Sequence, residues 1–234
     1  MPDALLPLFR QLFDPASSTY TYLLGCRGSR AAVLIDPVRD QLERDLALLT
    51  GLGLELHCVL DTHVHADHVT AAGALADATG AAIVAGAGSG LACADRLLDD
   101  GDELRFGAER LSALATPGHT SGCTSYLWRD RVFTGDALLI GSCGRTDFQE
   151  GDAGKLWQSL TGKLYRLPGE SLVYPAHDYH GRRVSSIDQE RAGNEFTAGR
   201  DRDGFVAALN ALQLAPPKLL DVAVPANRRC GRDG

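Results

Sequence analysis

The sequence predicts a mixed α/β (α+β) protein in which two stacked β-sheets form the core and helices cover their outer faces. Segments rich in β-branched and aromatic residues alternate with segments of helical period, and this alternation occurs on both sides of a strand-rich middle at 103–133. With 234 residues, of which 44% are hydrophobic and 23% charged, the chain is long enough for one sizeable core. We therefore predict a single domain over residues 1–234, with the C-terminal helices and tail (about 184–234) packed on it.

The first half is predicted to open with a β-hairpin and to continue with alternating helices and strands. β-Branched and aromatic residues mark the strands, a turn lies at 27–30, and a buried strand stops at Asp36-Pro37. Leucines among charged residues mark the first helix, and Gly80 closes the second. The predicted strands are 7–12, 18–26, 31–35, 56–60 and 81–85, and the predicted helices are 41–50 and 69–79.

The second half is predicted to contain the strand-rich middle followed mainly by helices. Turns at Gly107 and at Arg129-Asp130 separate the middle strands, and Asp152 has the position and residue type of a helix N-cap. The predicted strands are 110–115, 124–128, 131–133 and 171–174, and the predicted helices are 153–165, 184–192 and 204–212. A proline-rich, basic tail follows the last of these helices.

The composition narrows the classes of partner and the compartment. A net charge of -7 does not suggest a nucleic-acid surface, and the longest apolar runs are far too short to span a membrane. The N-terminal segment lacks the basic and long apolar regions of a signal peptide, so we expect a cytoplasmic protein that acts on a small molecule. The six cysteines include no CxxC pair, which indicates reduced thiols instead of a disulfide framework.

The segment that points to chemistry is LDTHVHADHVT at 60–70, where histidines and aspartates follow an apolar strand. His63 and His65 are two residues apart and face the same way on an extended segment, and Asp67 and His68 follow where the chain turns into a helix. One histidine alone is usually a surface or hydrogen-bonded residue. Several imidazoles and carboxylates at one place would repel or remain unpaired without a metal ion, so this segment predicts a metal site.

Four segments of the chain resemble the metallo-β-lactamase superfamily. THVHADH at 62–68 matches the THxHxDH motif of that superfamily, and the remaining ligand positions follow in order as His119 in ATPGHTSG, Asp136 in FTGDALL and His177 in YPAHDY. Each follows a strand-like segment, as expected for ligands on loops at the edge of a rigid sheet. The resemblance implies an αββα sandwich with the metal in a cleft at one edge of the two sheets.

Finer sequence blocks resemble the persulfide dioxygenases within that superfamily. SSTYTYLL and CGRTDFQ distinguish this group from its hydrolase relatives, and AVPANRRCG near the C-terminus agrees with them. The resemblance implies oxidation of glutathione persulfide by O₂ and water to glutathione and sulfite, with one Fe(II) per chain. It also implies that His63, His119 and Asp136 hold the iron, which leaves coordination positions for the persulfide, O₂ and water.

The resemblance gives His65, Asp67, His68 and His177 a supporting role. In dinuclear relatives such residues complete a two-metal site, whereas in persulfide dioxygenases they are expected to orient the ligands and to hydrogen-bond to bound water. All ligand types for two metals are present, so the alternative is a hydroxyacylglutathione hydrolase of the glyoxalase II type with a dinuclear zinc or iron site. A metal-binding protein without catalysis fits less well, because open coordination positions in a cleft serve catalysis better than storage.

Substrate-binding residues are predicted from the same blocks. Arg145 is the candidate cation for the anionic persulfide, and Tyr179 is a candidate hydrogen-bond donor to substrate with a catalytic role beside His177. Cys143 is expected in the pocket, and Asp178 is expected to satisfy neighbouring backbone or an arginine. The expected partners are a small persulfide and O₂, and the expected state is a monomer or homodimer.

Two positions depart from the family pattern. Asn194-Glu195-Phe196 stands where relatives commonly have Asn-Pro-Arg, so an arginine expected near the carboxylates of the thiol is missing. Arg200 and Arg202 are candidate substitutes for it. Gly141-Ser142 stands where some relatives have Arg-Gly. The carrier thiol is therefore left open between glutathione, another low-molecular-weight thiol and coenzyme A.

Overall fold

Two six-stranded sheets form the centre of the protein in a computed structural model that describes residues 7–232. The strands of the first sheet, which lie side by side in chain order, are β1 (Leu8–Asp14), β2 (Thr19–Gly25), β3 (Ala31–Ile35), β4 (Glu55–Leu60), β5 (Ala82–Gly86) and β6 (Arg96–Leu98). Those of the second sheet, also in chain order, are β7 (Glu103–Phe106), β8 (Glu109–Ala115), β9 (Thr124–Trp128), β10 (Arg131–Gly135), β11 (Leu172–Pro175) and β12 (Ser185–Ser186).

Helices cover the outer faces of both sheets. They are α1 (Leu42–Leu52), α2 (Ala72–Thr79), α3 (Ala153–Gly162), α4 (Ile187–Gly193), α5 (Arg202–Asn210) and α6 (Leu220–Asn227). Leu49 of α1 and Leu75 of α2 pack with Leu34 on the first sheet. Leu156 of α3 and Phe205 of α5 belong to a cluster with strand residues of the second sheet. The predicted αββα sandwich is confirmed.

The core between the sheets follows from the alternation of side chains along each strand. On β2, Tyr22 and Leu24 face the second sheet, whereas Leu23 lies in the cluster beneath the helices. All seven residues of β2 are buried, because this strand has an apolar layer on each face. Trp128 and Phe133 of the second sheet complete the central cluster, and both are fully buried. The sandwich is therefore a rigid support for the loops at its edge.

Parallel pairing brings the ends of several strands to one edge of the sandwich. β3, β4, β5 and β6 pair in parallel in the first sheet, and β10 pairs in parallel with β11 in the second. The chain returns between parallel strands through helices such as α1 and α2, so the carboxyl ends of the strands share an edge. Each segment with a predicted ligand, including His119 after β8, follows the carboxyl end of a strand.

The elements differ from the sequence prediction mainly at short segments. The helix predicted at 69–79 begins at Ala72, because residues 69–71 belong to the loop of the histidine motif. The helix predicted at 184–192 begins at Ile187, where the side chain of Ser186 accepts a hydrogen bond from the Gln189 N–H. The predicted N-cap of Asp152 is confirmed by its bond from the Lys155 N–H. Strands β6 and β7 and helix α6 were not predicted as separate elements. Within residues 7–232, no helix has the length and apolar character needed to cross a membrane.

One prediction about the cysteines is wrong. Cys93 and Cys230 form a disulfide bond, although the sequence indicated reduced thiols. The two residues are 137 positions apart in the chain, so no local spacing reveals the pair, and the fold brings their Cα atoms to 6.0 Å. The cysteines at 26, 58, 123 and 143 are buried and free, as predicted. The disulfide links the segment that follows α6 to the connection between β5 and β6 of the first sheet.

We expect this disulfide to contribute measurably to stability. Replacing Cys93 with Ser should lower the free energy of unfolding by about 2–4 kcal/mol, because the crosslink restricts the unfolded chain. Thermal unfolding with and without a reductant measures this: the reductant should lower the midpoint of the natural protein and leave that of Cys93→Ser unchanged. Alkylation of the unfolded, unreduced protein should label four of its six cysteines. Labelling of all six would contradict the disulfide.

Candidate active site and metal centre

Seven predicted site residues converge in two neighbouring groups at the carboxyl ends of the strands. His63, His119 and Asp136 offer ligand atoms that all lie within 4.8 Å of one another. The second group meets the same criterion and consists of His65, Asp67, His68 and His177. Residues of both groups line a cleft with a volume of about 610 Å³. The structure therefore places these seven predicted site residues close together.

The ring of His63 is oriented by a chain of hydrogen bonds. Thr62 Oγ1 donates to Asp36 Oδ2 over 3.0 Å. A hydroxyl oxygen can also accept, so Thr62 Oγ1 can accept a hydrogen bond from Nδ1 of His63, which lies 3.0 Å from it. The Thr62 backbone N–H donates to the other oxygen of Asp36 over 2.7 Å. With its proton on Nδ1, His63 keeps the lone pair of Nε2 free for a metal ion.

His119 is held in the same tautomer by a different partner. Its Nδ1 lies 2.6 Å from the carbonyl oxygen of Arg145, and since a carbonyl only accepts, Nδ1 carries the proton and donates. Nε2 then faces Asp136 Oδ2 at 3.7 Å, a separation that suits two ligands of one ion better than a direct hydrogen bond. The N–H of Gly144 donates to the carbonyl of Asp136 over 2.8 Å and fixes the loop that carries this aspartate.

The second group is joined by hydrogen bonds centred on His177. Nδ1 of His177 lies 2.7 Å from Asp136 Oδ1, and Nε2 lies 2.9 Å from Asp67 Oδ2. Asp67 Oδ2 also lies 3.0 Å from Nδ1 of His68. His177 therefore commits both ring nitrogens to carboxylates, and it directs Oδ2 of Asp136 toward the first group. Within residues 7–232, Nδ1 of His65 and Nε2 of His68 are buried without a hydrogen-bond partner.

Burial and neighbouring charges set the protonation of the site. Burial lowers the pKa of His63 and His65 well below the ordinary value, and neighbouring histidines add to this effect, so both rings are neutral. Burial alone would raise the pKa of Asp136, but His177 and His119 hold it below its usual range. Burial would lower the pKa of His177, whereas Asp136 and Asp67 raise it well above the ordinary value. The site thus presents a neutral imidazole at His63 and an ionised carboxylate at Asp136, and nitrogen and carboxylate donors of this kind fit a divalent metal.

The predicted substrate residues all line the cleft. Tyr179 is 67% exposed, and its ring stacks on that of His177 with an angle of 3° between the planes. Cys143 is buried, and burial raises the pKa of its thiol, so this group stays protonated and packs in the wall. Asp178 accepts hydrogen bonds from the backbone N–H groups of His180 and Arg182, which confirms its predicted structural role.

Arg145 has a structural role beside its predicted contact with substrate. Its Nε and Nη2 donate to the two carboxylate oxygens of Asp147, each over 2.6 Å. Nη1 and Nη2 also donate to the carbonyls of Ala215 and Leu214, which belong to the cleft wall. The guanidinium therefore holds this segment against the loop of Asp136, and Asp147 balances its charge. The contact of Arg145 with substrate stays a prediction.

Three residues that support the metal ligands were missed by the sequence analysis. Asp36, at the end of β3, anchors Thr62 and also lies 3.1 Å from Nε2 of His65. Thr19 Oγ1 lies 3.1 Å from Nε2 of His177, and its only sequence signal is its place in the SSTYTYLL block. Asn227 comes from the last helix, more than 150 residues from the motif that it contacts. These roles depend on contacts between distant segments.

We expect Asn227 to stabilise the loop that carries four of the site residues. Its Nδ2 donates to the carbonyls of His65 and His68 over 2.9 and 2.8 Å, and its Oδ1 accepts from the Thr70 N–H over 2.8 Å. Replacing Asn227 with Ala should weaken metal binding by about 10- to 100-fold, as loss of supporting contacts around metal ligands typically does. Competition with a chelator of known affinity measures the change. Asn210→Ala, at the exposed end of α5, is the matched control and should bind the metal normally. Equal affinity in both variants would exclude this role.

Comparison with known proteins agrees with the geometry. The sequence profile of the metallo-beta-lactamase superfamily matches residues 14–177. The persulfide dioxygenase ETHE1, mitochondrial, of Homo sapiens is 49% identical over 228 residues, which cover 96% of this chain and 89% of the relative. The crystal structure of ETHE1 from Myxococcus xanthus superposes with a TM-score of 0.95 at 54% identity and covers 96% of this chain and 100% of that one.

A hydrolase relative is more distant. The hydroxyacylglutathione hydrolase of Rhodospirillum rubrum is 37% identical over 167 residues, which cover 70% of this chain and 63% of the relative. The similarity to the persulfide dioxygenases is higher in identity and extends over nearly the whole chain. The chain belongs to the metallo-β-lactamase superfamily and, within it, to the persulfide dioxygenase family.

Proposed function

We propose that the protein oxidises glutathione persulfide with O₂ and water to glutathione and sulfite, using one Fe(II) held by His63, His119 and Asp136. The observation that carries this proposal is the arrangement of two imidazole nitrogens and one carboxylate oxygen on one side of an open cleft. Two histidines and one carboxylate on one face are the usual ligands of non-haem iron oxygenases. When bound, the iron would supply positions at which the persulfide sulfur and O₂ meet.

The residues around the ligands prepare this site before substrate binds. The proton on Nδ1 of His63 and that on Nδ1 of His119 direct both Nε2 lone pairs to the same point. His177 occupies Oδ1 of Asp136, so Oδ2 is the oxygen left for the metal. Because these side chains are held by hydrogen bonds to buried partners, little reorganisation accompanies metal or substrate binding.

The cleft itself selects for a small thiol that enters with its sulfur first. Leu139, Ile140 and Cys143 form part of one wall, and none of them presents an ionised group to the substrate. The exposed hydroxyl of Tyr179 lies at the rim above His177, where it is placed to donate a hydrogen bond to the persulfide. An uncharged wall of this kind limits the access of water to the reacting sulfur. It also separates the sulfur end of the substrate from its charged end.

A hydrolase with two metal ions is the second candidate, and one observation favours it. The unpaired Nδ1 of His65 and Nε2 of His68, together with Asp67, would form part of a second metal site. Against it, His177 donates from both ring nitrogens to carboxylates, so it would have to leave Asp67 before it could bind a metal. We therefore favour one iron per chain.

The test of this proposal compares two reactions on the same preparation. The iron-loaded protein should consume O₂ and release sulfite in equal amounts when it receives glutathione persulfide. It should not hydrolyse S-lactoylglutathione, the thioester substrate of a glyoxalase II. Thioester hydrolysis without O₂ consumption would establish the hydrolase instead. The cytoplasmic location expected from the sequence stays a prediction, and the related human protein is named as mitochondrial.

A further inference from the structure

The cleft needs a cation for its anionic substrate, and Arg200 and Arg202, the substitutes expected from the sequence, are placed elsewhere. Phe196, at which the family resemblance predicts an arginine, lines the cleft, and its ring packs against the cluster under α3 and α5. Arg200 donates to the carbonyl of Glu195, and Arg202 lies beside Asp203. Neither of these two arginines is among the described residues that line the cleft. Arg145 lines it, but its Nε, Nη1 and Nη2 are already committed to Asp147 and to the carbonyls of Ala215 and Leu214.

Arg182 lines the same cleft and is both anchored and accessible. Its Nε and Nη2 lie 2.9 and 2.7 Å from Asp178 Oδ1, and 43% of its side chain is exposed while that of Asp178 is almost fully buried. This contact fixes the direction of the guanidinium but uses only one side of it. An arginine that is held by one buried carboxylate and faces a cleft is well suited to bind a second carboxylate.

Gly141 makes room for the guanidinium of Arg182. Nη1 of Arg182 lies only 3.3 Å from the position that a Cβ atom would occupy on residue 141, and this residue has a φ of +71° that disfavours other amino acids. A side chain at position 141 would therefore crowd the guanidinium on this wall of the cleft.

An acidic residue flanks Gly141 as well. The backbone N–H of Glu195 donates to the carbonyl of Gly141 over 3.0 Å, and the exposed side chain of Glu195 also lines the cleft. The wall at Gly141 thus presents one cation and one anion. A carboxylate beside an ammonium group, as in an α-amino acid, is the chemistry that matches this pair.

We infer that Arg182 determines substrate specificity by binding a carboxylate of the thiol that carries the persulfide, while Glu195 binds the ammonium of the same amino-acid group. This inference rests on the proposed function, because it assigns the residues that bind the carrier thiol of the persulfide. It selects an amino-acid thiol such as glutathione over a thiol without carboxylates. Arg182 thereby supplies the cation that Arg200 and Arg202 do not bring to the cleft.

The first test separates binding from chemistry in the iron-loaded protein. Arg182→Met should raise the KM for glutathione persulfide by about 10- to 100-fold, the usual effect of losing a charge-assisted hydrogen bond, and should change kcat by less than about 3-fold. Arg183→Met is the matched control, because it is the same change at the next residue, which is not among the described residues that line the cleft. It should leave KM unchanged. Arg182→Lys keeps the charge and should recover part of the affinity. A KM for Arg182→Met that equals that of the control would overturn the inference.

The second test changes the substrate, so its main comparison needs only the natural protein and not a variant that must fold. The persulfide of glutathione diethyl ester lacks free carboxylates, so the natural protein should bind it as weakly as Arg182→Met binds glutathione persulfide. The KM for this ester should not change further in Arg182→Met. Glu195→Gln should raise the KM for glutathione persulfide and leave that for its N-acetylated form unchanged. Equal KM values of the natural protein for the acid and the ester would contradict the role of Arg182.

A third readout distinguishes this inference from the proposed function. Calorimetric titration of the iron-loaded protein with glutathione, under argon, measures binding without turnover. If glutathione binds through Arg182 but no persulfide supports O₂ uptake, the dioxygenase activity is wrong and the binding role stands. If O₂ uptake is normal and Arg182→Met binds glutathione as tightly as the natural protein, the dioxygenase stands and the inference fails.

Discussion

Replacement of His119 by alanine is expected to leave a folded protein that holds little iron and forms no measurable sulfite. His119 offers one of three candidate ligand atoms that lie within 4.8 Å of one another. Without it, only His63 and Asp136 remain in this group, and two ligands are too few to hold a divalent ion tightly. The loss should exceed the about 10- to 100-fold effect of removing residues that only support ligands. Iron per chain, measured by elemental analysis, and sulfite release, measured after a fixed time with glutathione persulfide, test this together.

The control for His119→Ala is the same change at an exposed histidine. His57 lies on β4 with its side chain exposed, away from the cleft residues, so His57→Ala should retain both iron and activity. His63→Ala and Asp136→Ala should behave as His119→Ala does. Normal iron content and sulfite formation in any of the three ligand variants would show that the ligand set is assigned wrongly.

Gly144→Ala is expected to disable the site almost as completely, although this residue carries no functional group. A Cβ atom on residue 144 would lie 2.4 Å from the carbonyl oxygen of Asp136 and 2.8 Å from Cγ and Nδ1 of His119. Such separations are far inside van der Waals contact, so the loop must move and two metal ligands must separate. A displacement of about 1 Å at a reacting centre can cost about 100-fold in rate. We therefore expect at least that loss in kcat/KM, together with weaker iron binding.

The matched control for this change is a glycine with open space around it. Gly28 lies in the turn after β2, and a Cβ atom there would meet nothing within 4 Å. Gly28→Ala should leave iron content, kcat/KM and unfolding temperature unchanged. If Gly144→Ala bound iron and turned over as Gly28→Ala does, the close packing of His119 and Asp136 around residue 144 would not matter for the site.

The side chains of the candidate metal site could be predicted from the sequence because their signals are local. His63, His65, Asp67 and His68 fall within six residues, and each further ligand lies in a short block directly after an apolar strand. The αββα sandwich was also predictable, since alternating side chains on strands such as β2 and the periodic leucines of α1 mark the faces that pack. In these regions local pattern and tertiary structure agree.

The supporting contacts could not be predicted, because each depends on where distant segments meet. Asn227 lies in the AVPANRRCG block, but the block does not reveal what its residues contact, and only the fold places the amide of Asn227 against the carbonyls of His65 and His68. The Cys93–Cys230 disulfide is hidden by the length of chain between its partners. Strands β6 and β7 are only three and four residues long, too short for a clear alternating pattern.

The cation of the substrate pocket could not be predicted from the sequence for the same reason. The missing arginine at position 196 was visible in the sequence, but the proposed replacements, Arg200 and Arg202, were chosen for their nearness along the chain. The structure places Arg182, from the loop after His177, on the cleft wall instead. The reason is that a wall is built from several loops, so a charge lost from one loop can be supplied by another.

The most direct test of the dioxygenase account is the metal content of the protein purified without oxygen, measured together with its reaction. A protein purified under argon should contain about one iron per chain, and it should consume O₂ and release sulfite with glutathione persulfide. About two zinc ions per chain, with hydrolysis of S-lactoylglutathione and no uptake of O₂, would contradict the single iron site of His63, His119 and Asp136.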